Sequence, residues 1–194
     1  MKTSERILES AAALLDSGGV AAVTLRAVGQ ASGVSHNAPY KHFENRDSLL
    51  GALATQEFQK LAAAFTAFGQ DKVLPLTKLK RALQAFSEYG RDYPSRYQLL
   101  FSDPDIAKQE GELQRAAMAS FSAFALLVAE CQKAGVLPGV PTPALAGLLY
   151  ASVHGLVDLQ ASGRMKTEKG FMSVSDGIAL LLKVLATEKQ EVLR

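Results

Sequence analysis

A chain of 194 residues with 48% hydrophobic and 21% charged residues has the balance of a globular protein with room for one or two small packed domains. Its single cysteine, Cys131, excludes an internal disulfide framework and fits a reducing compartment. A net charge of +2 excludes bulk basicity as a source of nucleic-acid affinity, so any such affinity has to come from a local patch.

The chain opens on residues 1–9, polar and charged, with no apolar core behind a basic start. A cytoplasmic location is therefore expected. Ser4 to Ser17 then carries Ile7, Leu8, Ala11, Leu14 and Leu15 at helical spacing, and Gly18-Gly19 is expected to end that helix. Residues 24–43, TLRAVGQASGVSHNAPYKHF, read as two short helices about a tight turn. Thr24 can cap the first helix by accepting an otherwise unpaired backbone N–H, and Leu25, Val28 and Ala31 give it one apolar side. Gly33 stands where the turn needs a positive φ, which glycine adopts most cheaply. Ser35 is expected to cap the second helix, which places Pro39 near its fourth position and predicts an irregular first turn.

That second helix predicts an exposed polar face. Asn37 can pair two ways with an adenine, and His36 and Lys41 can donate to guanine. Tyr40, His42 and Arg46 suit phosphates, which fix register without reading sequence. With the two cap residues, the candidate DNA-contacting set is Thr24, Ser35, His36, Asn37, Tyr40, Lys41, His42 and Arg46. Over residues 24–46 three cations and two histidines stand against one acid, Glu44.

Asn45 is expected to cap a long helix reaching Gly69, with Leu49, Leu50, Leu53, Leu61, Phe65 and Phe68 on its inner side. Leu79, Ala82, Leu83 and Phe86 mark the next helix, ending near Gly90. A short helix, Ser95 to Ser102, follows between Pro94 and Pro104. One long helix is then expected from Asp103-Pro104 to Ala134, with Gly111 weakening its start. Residues 144–161 and 174–187 complete the pattern as two helices apolar over more of their circumference than one core needs. The uncharged run 134–157 is broken by Gly135, Pro138, Gly139, Pro141 and Pro143, so it reads as a loop and a buried helix, and no membrane span is expected. The fold class is all-α, with about nine helices; no β pattern or internal repeat stands out.

Residues 4–50 resemble the N-terminal DNA-binding domain of the TetR family of transcriptional regulators. The resemblance rests on the Gly33-Val34-Ser35 turn, the Tyr-x-His-Phe ending at Tyr40 to Phe43, and the charged entry into Leu49-Leu50. It implies a three-helix helix-turn-helix domain over residues 1–47 and a helical effector-binding and dimerisation domain over residues 48–194. It also implies a homodimer through the last two helices, a double-stranded DNA operator and a small-molecule effector, with the chain a ligand-responsive repressor. Residues 152–159, SVHGLVDL, are similar to a subclass marked by Trp and then His-Gly, although Tyr150 stands where the Trp belongs. Tyr150 and His154 are four apart and share a helix face, where they either line a pocket or pack the core. Because such regulators usually hold a cavity, Phe86, Tyr97, Phe101, Phe121, Phe124, Tyr150 and His154 are candidate effector contacts; their helical spacing suits plain core equally well.

Enzyme chemistry finds no constellation. None of His36, His42 and His154 has a glutamate three residues before it, and H-E-x-x-H, G-x-S-x-G and a phosphate-binding glycine loop are all missing from the sequence. No metal, cofactor or catalytic residue is expected. Two other classes stay open: a helical small-molecule or lipid binder without DNA binding, and a helical-bundle enzyme.

Overall fold

The computed structural model describes residues 2–35, 37–170 and 173–186. Among them are ten α-helices, one 3-10 turn and no strand. The helices are α1 (Thr3–Ala22), α2 (Leu25–Ala31), α3 (Ala38–His42), α4 (Arg46–Gln70), α5 (Pro75–Asp92), α6 (Pro94–Ser102), α7 (Pro104–Ala107), α8 (Glu112–Lys133), α9 (Thr142–Ala161) and α10 (Val174–Leu185). They group into two compact units: Met1–Lys60 with Asp92–Ala119, and Leu61–Arg91 with Ser120–Arg194. Helices α4 and α8 each run from one unit into the other.

In the first unit, Ile7, Ala11 and Leu15 of α1 are fully buried with Val23, Val28, Leu49 and Leu53. Helical geometry breaks at Gly19, whose φ is +67°, and a last turn continues to Ala22. Asn45 caps α4 reciprocally: its Oδ1 accepts from the Ser48 N–H at 2.8 Å, and its own N–H donates to Ser48 Oγ at 3.2 Å. The single long helix expected from Pro104 to Ala134 is not formed. Four residues make α7, capped by the Asp103 carboxylate on the N–H groups of Asp105 and Ile106. Gly111 then takes φ +78°, and α8 starts at Glu112. Thus two helices stand where one was expected: α7 closes at Lys108, and Gly111 carries the chain in left-handed geometry into the start of α8.

Two contacts bind α6 and the α7–α8 segment to the rest of this unit. Arg96 of α6 makes a bidentate pair with Asp16 of α1 at 2.9 and 2.6 Å, and its Nη1 lies 3.4 Å from Glu57 Oε1 of α4. Glu57 is only 1% exposed and also accepts from Lys60 at 2.7 Å. Gln109, beyond α7, donates from Nε2 to the Asp47 carbonyl at 3.2 Å, in the first turn of α4. A Cβ at Gly51 would collide with the Gln109 carboxamide. The atoms it would meet are the far end of a flexible side chain, so Gln109 could swing aside from an alanine there.

The second unit packs Phe65, Leu79, Leu83, Phe86, Phe124, Leu127, Leu149 and Ile178. Lys78 donates to the Gly69 carbonyl at the end of α4 and pairs with Glu130 at 3.0 Å. Gln132 fixes the loop before α9 by donating to the carbonyls of Pro138 and Val140 and accepting from Thr142. Helices α9 and α10 meet where Gly177 admits Leu156, whose Cδ1 lies 2.7 Å from where a Cβ would stand. Leu182 belongs to the core, while Leu148, Leu180 and Val184 remain 55%, 62% and 73% exposed. Among the described residues no helix is long and apolar enough to cross a membrane.

The ion pairs differ in expected worth. Arg96→Ala leaves Glu57 buried with one partner fewer and should lower the unfolding free energy by about 3 kcal/mol. Arg81→Ala breaks only the exposed pair with Asp71 and should cost under about 1 kcal/mol. Urea unfolding of both variants checks this; equal losses would mean that the Arg96 site is no more than a surface pair.

Candidate nucleic-acid interface and aromatic cluster

The helix-turn-helix is built from α2, the turn and α3. Thr24 caps α2, accepting from the Ala27 N–H at 3.1 Å. At the turn the buried Ser32 donates its hydroxyl to Val28 O at 2.7 Å, and Gly33 takes φ +63°. Arg6 of α1 donates to the Ser32 carbonyl at 2.7 Å, so the turn is tied to α1 through a charged donor.

Helix α3 starts later than expected. Asn37, not Ser35, is its N-cap, in right-handed backbone geometry and without a side-chain capping bond; Ser35 contributes only its carbonyl, which accepts from Ala38 N at 2.8 Å. The later start puts Pro39 in the first turn, where a missing N–H costs nothing, and the ring is buried against the core. No irregular turn is needed. Asn37, Tyr40 and Lys41, at positions i, i+3 and i+4, share an exposed face with His42 nearby. Thr24 and Ser35 are exposed as well, and His36 lies outside the described residues. Arg26, Gly29, Gln30, Val34 and Tyr40 line an open cleft of about 520 Å³. Arg26 and Gln30 are not among the sequence candidates; a cation on the outer side of α2 is the signal that points to them.

Arg46 is placed otherwise than a free phosphate ligand. Its Nε donates to Val23 O at 2.7 Å and its Nη2 to Val20 O, closing the end of α1 onto the start of α4. No sequence pattern hints at this, because main-chain carbonyls carry no residue signature.

The aromatic candidates fall into two groups. In the second unit Tyr150 stands at the centre of Phe86 (4.8 Å between ring centroids), His154 (5.1 Å), Phe124 (5.7 Å) and Phe121 (6.0 Å). Phe86 also meets His154 edge-on at 5.2 Å. In the first unit Phe101 lies between Tyr97 at 4.9 Å and Phe58 at 5.6 Å; Phe58 is not a sequence candidate. Burial raises the Tyr150 phenol far above its ordinary range. Burial also lowers the His154 pKa, against a smaller opposing pull from Asp158. Both rings are therefore neutral near pH 7. One turn before Phe124, Ser120 is buried with no hydrogen-bond partner for its Oγ. Cys131 is buried, and its thiol is pushed up to about 11, chiefly by burial. Among the described residues no group of three or more His, Cys, Asp or Glu side chains is arranged to hold a metal ion.

Comparison with known proteins assigns the frame. Residues 7–53 match the family described as bacterial regulatory proteins, tetR family, and residues 79–178 match the tetracyclin repressor-like C-terminal domain. The chain belongs to the TetR family. It is a DNA-binding transcriptional regulator. Among its relatives, the HTH-type transcriptional regulator TtgR of Pseudomonas putida is 29% identical over 168 residues, covering 80% of this chain and 79% of that one. A protein of unknown function from Rhodococcus sp. RHA1 shares the fold with a TM-score of 0.80 at 24% identity, over 95% of this chain and 94% of that one. SmeT, the repressor of the Stenotrophomonas maltophilia multidrug efflux pump SmeDEF, gives a TM-score of 0.65 at 22% identity, over 98% and 93%.

The lowered pKa of His154 has a sign. The folded state prefers the neutral imidazole, so stability is complete above the ordinary value of 6.5 and is lost as pH falls through 6.5 toward the depressed folded value. Thermal unfolding between pH 8 and pH 5 should show this loss in the regulator and a smaller one in His154→Gln. An unchanged slope in the variant would place the acid sensitivity elsewhere.

Proposed function

We propose that the regulator is a ligand-responsive repressor that binds a near-palindromic operator in the cytoplasm as a homodimer. Residues 1–47 read DNA, and residues 48–194 bind effector and pair the subunits. The observation that carries the reading is the polar face of α3, set on a turn braced by Arg6 and ending at the braced Arg46. On this reading α3 enters the major groove, where Asn37 reads a base edge and Lys41 donates to a guanine or a phosphate. Tyr40, His42, Thr24 and Ser35 hold the backbone, and Arg26 joins them from α2. The part given to Arg46 is mainly to hold the unit together. The repressor sense is supported by family membership and by SmeT, itself a repressor of the same fold.

The effector contacts are Phe86, Phe121, Phe124, Tyr150 and His154 in the second unit; Tyr97 and Phe101 of α6 form a separate aromatic group in the first. The unsatisfied Ser120 hydroxyl supports the second-unit assignment, since a buried polar group without a partner costs about 1–3 kcal/mol unless something bonds to it. The bare apolar side chains of α9 and α10 support the dimer, because Leu148, Leu180 and Val184 leave an apolar outer face that a second copy would cover.

Two measurements test these assignments. Asn37→Ala should cost about 1–3 kcal/mol per subunit on operator and little on random duplex, if Asn37 makes a bidentate contact. Mobility shifts on the DNA flanking its own gene check this, and equal losses on both duplexes would remove Asn37 from base reading. In sedimentation, the regulator should run as a dimer at micromolar concentration. Leu180→Asp, exposed in the single chain, should give folded monomers, whereas Leu182→Asp should unfold the chain by placing a charge in the core. A parent protein that is monomeric and folded would sink the dimer.

A further inference from the structure

The connection between α4 and α5, in the second unit, exposes apolar side chains that the DNA-reading, effector and dimer assignments leave unused. Leu74 is 75% exposed, the barest large apolar side chain among the described residues, and its neighbour Val73 is 37% exposed. Leu74 stands directly before Pro75, the first residue of α5, and its carbonyl accepts from the N–H groups of Thr77 at 2.9 Å and Lys78 at 3.1 Å. Its backbone is pinned while its side chain stays in the open. At such a capping position Ser, Thr, Asp and Asn stabilise a helix, and leucine is among the poorest residues. Leu74 therefore serves neither as a cap nor as core.

Cations gather around this tip. Lys78 joins α5 to the end of α4 and to Glu130 of α8, and Arg81 pairs with Asp71 at 3.0 Å. Those pairs neutralise Asp71 and Glu130. Lys72 beside the tip, Lys80 in the second turn of α5 and Lys133 one turn beyond Glu130 are exposed, and none has an acidic partner among the described residues.

We propose that this end of the second unit docks reversibly on an anionic lipid surface, with Val73 and Leu74 entering the headgroup layer and Lys72, Lys80 and Lys133 meeting lipid phosphates. This is contact with a membrane face and involves no span. Exposed apolar side chains rimmed by unopposed cations are the composition of an interfacial anchor, and an anionic leaflet attracts such cations. A second copy fits worse, because a two-fold axis would set the same lysines against one another. Nucleic acid supplies phosphates but gains nothing from covering Val73 and Leu74. With so few groups the attachment is weak, and salt screens it.

The chain contains no tryptophan, so Leu74→Trp in the full-length protein is a reporter without background. Its emission should shift to the blue on vesicles of phosphatidylcholine with about a third phosphatidylglycerol, and stay unshifted on phosphatidylcholine alone. High salt should reverse the shift. Adding Lys72→Glu and Lys133→Glu to the reporter should weaken its vesicle binding about tenfold, near the effect of two lost lysine contacts. No shift on anionic vesicles overturns the proposal, even where the protein cosediments with them, since it then adsorbs through another part of the chain. A blue-shifted emission that grows with protein concentration in the absence of lipid also overturns it, by showing that another protein surface covers the tip. Leu74→Ser separates docking from folding: it should lose vesicle binding while Tm holds or rises, because serine caps α5. A lower Tm would make Leu74 a residue of the fold and remove the case for a partner. Operator binding is measured separately, so failure here leaves the DNA-reading assignment standing.

Discussion

Two guanidinium groups bonded to main-chain carbonyls hold the DNA-reading helices in place: Arg6 on Ser32, and Arg46 on Val20 and Val23. A helix of five residues has no stability of its own. The position of α3 therefore depends on what surrounds it, and hydrogen bonds from charged donors to carbonyls are among the stronger contacts available. These bonds lock the helix ends and the turn, where backbone groups would otherwise go without partners. The same use of cations shapes the electrostatics. Two of the arginines in the first 50 residues serve the fold, leaving Lys41 and Arg26 as the cations seen on the outer sides of α3 and α2.

The second unit follows a different rule. Its central contacts are ring against ring, and Tyr150 and His154 are kept neutral by burial. Charge is kept to the edges, as in the Lys78 contacts at the end of α4. On the effector reading proposed above, the neutral rings would offer a guest shape and no fixed ion. Discrimination there would rest on fit and on single hydrogen bonds.

Legibility in the sequence follows the range of the forces involved. Thr24 on Ala27, Asn45 with Ser48 and the positive φ at Gly33 are local, acting within three or four residues, and pattern alone locates them. The cap of α3 falls two residues later than the pattern suggests, because Ser35 and Asn37 are both good caps and the burial of Pro39, a tertiary fact, decides between them. Gly111 is visible as a weak spot, but a single glycine in a helical pattern does not show that its backbone lies in the left-handed region. Arg46 and Leu182 mark the outer limit. A cation next to a recognition helix resembles a phosphate ligand, and a leucine on an over-apolar helix resembles an interface residue; only the folded neighbours show that one braces carbonyls and the other fills the core. The aromatic set is legible by type, but its division between the two units is not visible in spacing. Phe58, the ring that meets Phe101, lies on a helix whose pattern is dominated by its leucines and terminal phenylalanines.

The lone sulfhydryl carries a consequence for how this chain can be labelled. Thiol chemistry proceeds through the thiolate, and Cys131, enclosed in the second unit with its pKa raised to about 11, offers almost none at physiological pH. Peroxides and disulfide reagents therefore meet a thiol that is almost wholly protonated. For the experimenter the same inertness is an opening: a cysteine placed on the surface of α3 or α6 would be the reactive thiol of the chain, ready for a spin or fluorescent label without first removing the native one.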